Sequence, residues 1–178
     1  MIRMPVTRSI THCPGCGASA LTWPSVKSFT CCSCGFTLYL NIASAVAVII
    51  EYRGKLLFGV RKHEPQQGML DLPGGFVDPG ETAEAAARRE LKEELQLDLP
   101  LPLQYFCSFP NNYLYQGIAY DTLDLIFTVQ LQELPQIAAS DDLAAVLWLE
   151  RDAIALEMIG FPSLRQAVQR YLDGDGER

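Results

Sequence analysis

Glu90, Glu93 and Glu94 sit three and four residues apart inside Thr82 to Leu95, a run of strong helix formers with no breaker. At about 100° per residue, the three carboxylates fall within roughly a 100° sector of one helix face. Acids so close repel one another. A hard divalent cation such as Mg²⁺ or Mn²⁺ reverses that penalty, because it takes oxygen ligands and keeps water and phosphate in its shell. Acidic helix faces are common on solvated helices, so the neighbours decide the reading. Arg89, four residues before Glu93, can pair with it. Gly74, Gly75 and Gly80 let the preceding loop fold against the helix and carry Glu81 towards the acids. Ala83, Ala86 and Ala87 share the acidic sector, which predicts a nearly bare face open to a loop or ligand. Asp121 and Asp124 are further acids that could approach a metal, with loop and surface roles equally open.

A second set of ligand-type residues lies upstream. Cys13-Pro-Gly-Cys16 and Cys31-Cys-Ser-Cys34 are two CxxC pairs separated by 14 residues, with Gly17 and Gly35 following them. Tetrahedral Zn²⁺ takes four soft ligands, and each CxxC turn presents two from one tight loop. With Cys13, Cys16, Cys31 and Cys34 all engaged, no position is left for water, so the expected zinc is structural. Paired disulfides are the alternative, and they are unusual in the cytosol. Cys32 is a spare neighbour. Cys107, in a predicted strand, reads as a small buried apolar residue. His12 and His63 lack spaced partners that would make them ligands.

The elements that must position these residues follow from pattern. A Cys-, Gly-, Ser- and Thr-rich segment ends near Leu40, and Ala43 to Ile50 is apolar enough for a buried strand. Arg53-Gly54 predicts a turn into a second strand, Lys55 to Val60. Gly68 to Gly80 reads as a long loop. Beyond the acidic helix, Gln104 to Phe109 and Thr122 to Leu131 are strand-like, with an aromatic, Asn-containing loop and a short strand between them. Val146 to Leu149 predicts a short strand, and Pro162 to Leu172 a helix with Leu164, Val168 and Leu172 on one face. The expected organisation is a zinc ribbon with an N-terminal arm over 1–40, a catalytic domain over 41–172 and a flexible tail over 173–178. Strands and helices mix without strict alternation, which favours α+β, with an α/β/α sandwich, over a doubly wound sheet.

Composition narrows the class. The chain of 178 residues carries a net charge of -7, which argues against a general grip on nucleic acid. Residues 1 to 50 hold no Asp or Glu and three basic residues, but four zinc-bound thiolates would cancel most of that excess. No run reaches the roughly 20 apolar residues of a membrane span, and Met1 to Arg8 lacks the apolar core of a signal peptide. A cytoplasmic location is the expectation.

From Gly75 to Leu97 the chain resembles the Nudix hydrolase family, whose pattern is Gx5Ex7REUxEExGU with U a bulky aliphatic residue. Every defined position matches except the last glycine, which is Gln96, at a place that normally helps to end the helix. The resemblance implies an α/β/α Nudix sandwich with a mixed sheet. It also implies Mg²⁺- or Mn²⁺-dependent hydrolysis of a nucleoside diphosphate linked to another moiety. On that basis Glu81, Glu90, Glu93 and Glu94 bind metal, Arg89 orients the glutamates, and Glu93 is the favoured general base. A zinc ribbon before such a domain is similar to NADH pyrophosphatases and some FAD-hydrolysing relatives, which implies a dinucleotide cofactor or ADP-ribose type of substrate. Ser108 to Tyr115 lacks the tryptophan and second proline of the NADH enzymes, so NADH specificity is unsupported. Phe109, Tyr113 and Tyr115 could stack a base, Asn111 or Asn112 read its edge, and Arg61 touch phosphate. The resemblance also allows a homodimer. The alternatives are a house-cleaning hydrolase of nucleoside triphosphates and a non-catalytic nucleotide-sensing regulator, against which the full set of glutamates speaks.

Overall fold

The computed structural model describes residues 4–5, 9–99 and 101–174. The expected tail therefore lies outside the described residues from position 175 onward. Two compact units divide the chain: one takes it up to Ala43 together with Asn112–Asp121, the other takes Ser44–Asn111 and continues from Thr122.

In the first unit, β1 (Met4–Pro5) is followed by a three-stranded antiparallel sheet of β2 (Leu21–Ser25), β3 (Ser28–Cys31) and β4 (Thr37–Tyr39). Its apolar content is small. Phe29 is fully buried, with the rings of Trp23 and Phe36 at 5.1 and 6.4 Å.

In the second unit, β5 (Ala43–Tyr52) turns at Arg53 and Gly54 into β6 (Lys55–Arg61). Both turn residues have positive φ, 48° and 81°, the backbone that matches the twist of a tight hairpin. The stretch read as a loop contains two short strands, β7 (Leu70–Asp71) and β8 (Gly74–Phe76), which pair with β6 and β5. Next come α1 (Ala83–Leu95), β9 (Gln104–Tyr115), β10 (Ile118–Gln130), β11 (Leu143–Glu150) and α2 (Pro162–Leu172). The two strands expected around an aromatic loop are in fact one long hairpin that turns at Gln116-Gly117. Pro110 is tolerated in β9 because, among the described residues, that strand pairs only with β10.

The sheet has the order β1-β10-β5-β6-β11 and is mixed, with β1 parallel to β10 and β6 antiparallel to β11. Val46 to Ile50 are all buried, so β5 is covered on both faces. Val46, Val48 and Ile50 pack with Ala86, Ala87, Leu91 and Leu95 of α1. Alternation turns Ile49 to the other face, where α2 is tied down by hydrogen bonds from Ser163 to Asp124 and from Tyr171 to Glu51. A helix on each face of a mixed sheet is the α/β/α arrangement expected. Among the described residues no helix is long and apolar enough to cross a membrane.

Both ends of α1 are defined. The Thr82 side chain accepts from the Ala85 N–H at 3.2 Å, an N-cap. At the other end Gln96 takes φ 56°, ψ 29°. Its N–H donates to Lys92 O at 3.0 Å and that of Leu97 to Leu91 O at 3.1 Å. This is the paired closure that glycine usually makes. Gln96 therefore ends the helix in the ordinary way, at a backbone cost of about 1 kcal/mol for a residue with a Cβ.

Candidate active site

The acids of α1 differ in exposure because the helix presents them at different angles to the sheet. The Glu93 side chain is 47% exposed, that of Glu90 12%, and Glu94 as a residue 6%. Ala86 and Ala87, expected on a bare face, are fully buried against the sheet. Small size there lets the helix approach the strands and gives no access to ligand. The open side of the site lies towards Glu93.

Arg89 gathers the acids. Its Nε and Nη2 donate to the two oxygens of Glu81 at 2.9 and 3.0 Å, a bidentate pair. Nη1 donates to Glu90 at 2.7 Å and to Glu93 at 2.9 Å, and Nη2 also donates to the Phe76 carbonyl at 2.9 Å. Glu81 is delivered by the turn Asp78-Pro79-Gly80-Glu81, in which Gly80 has φ +91° and the Glu81 N–H donates to Asp78 O at 3.1 Å. The sequence showed the Arg89–Glu93 pair by its spacing. The anchoring of Glu81, Glu90 and β8 by the same guanidinium depends on the turn and was not visible there.

The glycines serve close approach. A Cβ on Gly74 would lie 2.0 Å from the Val46 carbonyl oxygen, and one on Gly75 would lie 2.4 Å from Glu90 Oε1. Gly74 also donates its N–H to Glu94 at 3.0 Å.

Electrostatics follow this packing. Burial pushes the Glu94 carboxyl up to about 9, against the Gly74 bond, and the carboxylates of Asp71, Glu90 and Asp142 add to the rise. Burial raises Glu90 too, with Arg89 opposing and Glu93 and Asp141 adding. The bond from Arg89, then that from the Asp78 N–H, lowers Glu81. Its bond to Glu81 leads those that raise Arg89, which stays charged throughout.

A cavity of about 290 Å³ opens onto this cluster, lined by Gly74, Gly75, Phe76 and Arg89 and by six acids: Asp78, Glu90, Glu93, Glu94, Asp141 and Asp142. One arginine against six acids leaves a negative excess even with buried Glu94 protonated, and oxygen donors in that number suit a hard divalent cation. Asp141 and Asp142 escaped sequence reasoning, because nothing in the chain between them and the helix marks them. Tertiary bonds place them: Ser140 N–H donates to Glu94 O at 2.9 Å, and Lys62 N–H to Asp142 O at 2.9 Å. A larger cavity of about 400 Å³ beside Phe106, Arg151 and Tyr171 contains none of these acids, so chemistry and size point to different places and chemistry decides.

The other residues singled out in the sequence lie elsewhere. Arg61 does not line the acidic cavity: it is ion-paired with buried Asp71, donates to Pro65 O and lies over the Phe161 ring. Phe109 and Asn111 are half-buried on β9, and Asn111 donates to Asp124 at 3.0 Å. Asn112 donates to Asp121 at 3.2 Å. Tyr113 and Tyr115, in the first unit, are stacked with centroids 6.4 Å apart. Asp121 and Asp124 are thus held by asparagines and line no part of the acidic cavity.

In the first unit the four sulfurs of Cys13, Cys16, Cys31 and Cys34 all lie within 4.8 Å of one another. The Cys13–Cys34 and Cys16–Cys31 separations are 3.7 Å, far beyond a disulfide bond and close to the edge, about 3.8 Å, of a sulfur tetrahedron around Zn²⁺. Gly17 and Gly35, at φ 73° and 76°, close the two knuckles by donating to Cys13 O and Cys31 O. Cys32 faces Thr22 Oγ1 at 3.0 Å. Cys107 is buried, which pushes its thiol up to about 11 and leaves it a poor nucleophile.

Comparison with known proteins agrees with this geometry. A family model described as the NUDIX domain matches residues 41–171. An ADP-ribose pyrophosphatase of Methanocaldococcus jannaschii is 52% identical over 62 residues, 35% of this chain and 37% of that protein. An NAD-capped RNA hydrolase NudC of Stutzerimonas stutzeri is 28% identical over 163 residues, 90% of this chain and 53% of that protein. The chain thus spans about a third to just over half the length of these curated relatives. A NUDIX hydrolase structure from Nitrosomonas europaea has the same fold, with TM-score 0.74 and 23% identity, covering 92% of this chain and 91% of that one. With the matched domain occupying about three quarters of its length and the acids of its box assembled around Arg89, the chain belongs to the Nudix family.

Proposed function

We propose that the protein is a divalent-metal-dependent pyrophosphohydrolase that cleaves a diphosphate joining a nucleoside to a second moiety, with NADH, FAD and ADP-ribose as the leading class. The observation that carries the reading is the acidic cavity itself: six carboxylates around one arginine, with the glutamates held apart by Arg89. The names of the relatives support the substrate class, since ADP-ribose and NAD share an adenosine-diphosphoryl half.

In this reading Glu90, Glu93 and Glu94, assisted by Glu81, hold Mg²⁺ or Mn²⁺, which supplies charge neutralisation and polarises the diphosphate when bound. Arg89 fixes three of the four carboxylates before substrate arrives, so little reorganisation is left for the reaction. Glu93, more exposed than Glu90 and Glu94, accepts the proton of the attacking water. The water oxygen bonds to phosphorus as the bridging P–O bond breaks, and a nucleoside monophosphate and the phosphate of the other moiety leave. Residues 41–172 carry this chemistry, while 1–40 form a ribbon with a structural Zn²⁺ on Cys13, Cys16, Cys31 and Cys34.

The test is a panel of NADH, NAD⁺, FAD, ADP-ribose, a dinucleoside polyphosphate, a nucleoside triphosphate and NAD-capped RNA, each with Mg²⁺ or Mn²⁺. Metal-dependent release of monophosphates from the dinucleotides or ADP-ribose is expected. Cleavage of the triphosphate alone, or of nothing, contradicts the reading.

A further inference from the structure

The one cation that lines the acidic cavity has nothing left to offer an incoming anion. A guanidinium carries five N–H groups, and Arg89 makes five bonds: two to Glu81 and one each to Glu90, Glu93 and the Phe76 carbonyl. The other lining residues are glycines, Phe76 and the acids themselves, whose field repels phosphate.

A second cation stands at the rim. β6 ends at Arg61, whose partner across the antiparallel pair is Leu143 of β11. One residue beyond, the Lys62 N–H donates to Asp142 O at 2.9 Å, and the Lys62 ammonium donates to Asp141 O at 3.3 Å. Asp141 and Asp142 both line the cavity, so Lys62 touches its wall with its backbone and with the tip of its side chain. The turn that carries the two acids is closed by the Leu143 N–H on Ser140 O at 3.1 Å, with Asp141 at φ 51°. Its Ser140 N–H donates to Glu94 O at 2.9 Å. Strand pairing, turn and helix therefore fix where the Lys62 stem begins relative to the glutamates.

The two contacts of Lys62 differ in kind. The backbone bond is short and continues the ladder, whereas the side-chain bond is long, exposed and made to a neutral carbonyl. Among the described residues no salt bridge holds the ammonium, while neighbouring Arg61 is tied to Asp71. A charge-assisted bond to an anionic oxygen is roughly twice as strong as one between neutral groups. The flexible four-carbon stem lets the ammonium exchange one for the other.

We infer that Lys62 is a substrate-binding residue whose ammonium leaves the Asp141 carbonyl for a non-bridging oxygen of the substrate diphosphate. It supplies the positive charge towards phosphate that Arg89, spent on the acids, cannot. The inference rests on the pyrophosphohydrolase reading for the identity of the ligand. A contact made alike in the ground state and the transition state appears in KM and leaves kcat in place.

The experiment uses the full chain with Mg²⁺ and two variants. Lys62→Gln removes the charge but keeps an N–H donor for the Asp141 carbonyl and leaves the backbone bond to Asp142 intact. Lys62→Arg keeps the charge. Titration calorimetry measures Kd for ADP-ribose with a methylene group in place of the bridging oxygen, and kinetics give KM and kcat for ADP-ribose, NADH and FAD. Lys62→Gln should weaken Kd, and raise KM for each compound that is cleaved, by about tenfold, the usual worth of a bond to a charged group. The change in kcat should be far smaller, and Lys62→Arg should recover most of the loss. Cleavage by wild type with Kd and KM unchanged in Lys62→Gln overturns this inference alone, as does an equal loss in Lys62→Arg or a fall confined to kcat. Binding that depends on the Lys62 charge without cleavage of any diphosphate removes the hydrolase reading alone. Neither binding nor cleavage by wild type removes both.

Discussion

The ribbon and the acidic cavity both gather like-charged ligand atoms, yet they are held in opposite ways. In the ribbon the sulfurs cluster on two knuckles with little more than Phe29 and its ring neighbours beneath them. In the Nudix domain the glutamates ride on a capped helix packed by Ala86, Ala87, Leu91 and Leu95, and Arg89 supplies a built-in counter-charge. On the proposed reading the first arrangement relies on its cation in order to fold, whereas the second has its acids held by Arg89. What does the holding would then separate the proposed structural site from the proposed catalytic one.

Removing zinc should break the comparison most sharply. Structural zinc sites are worth on the order of 10 kcal/mol of folding free energy. A chelator specific for zinc is expected to collapse the amide signals of Cys13 to Tyr39 in a heteronuclear NMR spectrum while those of α1 persist. Coordinated loss of both sets would mean that the Nudix domain leans on the ribbon's metal.

Arg89→Ala tests the built-in counter-charge. Without it Glu81, Glu90 and Glu93 lose their shared partner, and misplacement of this kind costs about 100-fold in activity. The variant should also gain more thermal stability from Mg²⁺ than wild type does, since the cation then provides the only compensation. Equal Mg²⁺ shifts in differential scanning calorimetry would remove Arg89 from this role.

Asp71 gives a pH dependence inside the Nudix domain. Its folded value, about 6, lies above the ordinary carboxyl value of 3.8 because burial favours the neutral acid. The stability it contributes is therefore full below pH 4 and is lost as pH rises towards 6, by about 2 kcal/mol. Melting curves over that range should show the decline in wild type and a flatter profile in Asp71→Asn.

The smallest effect belongs to Gln96→Gly. Glycine accepts the left-handed backbone that Gln96 adopts, so the substitution should stabilise the protein by about 1 kcal/mol in urea titration, with no change in rate.

How much of this the sequence disclosed depends on how local each feature is. Glu81 through Gln96 form a contiguous box, and Arg89–Glu93 is a single helical turn, so the family of the domain could be read from spacing. Cys13 to Cys34 are likewise two local turns. Asp141 and Asp142 reach the cavity only through bonds from Ser140 to Glu94 and from Lys62 to Asp142. Asp124 finds its partners on three separate elements. Pro110, Asn111 and Asn112 are poor strand formers that interrupt the pattern of the β9–β10 hairpin in the sequence, and the pairing overrides their preferences. Ala86 and Ala87 looked like part of an open face because helical periodicity shows which residues share a side, but not which side meets the sheet.

The most direct test of the division between the two sites uses Glu93→Gln protein, with zinc content, melting temperature and Mg²⁺-dependent hydrolysis of ADP-ribose and NADH measured beside wild type. One zinc per chain and an unchanged fold are expected in both. Hydrolysis in the variant should fall by at least about 100-fold, the usual loss for a general base. Hydrolysis that survives the substitution at the wild-type rate would contradict the assignment of the chemistry to Glu93 and the α1 acids.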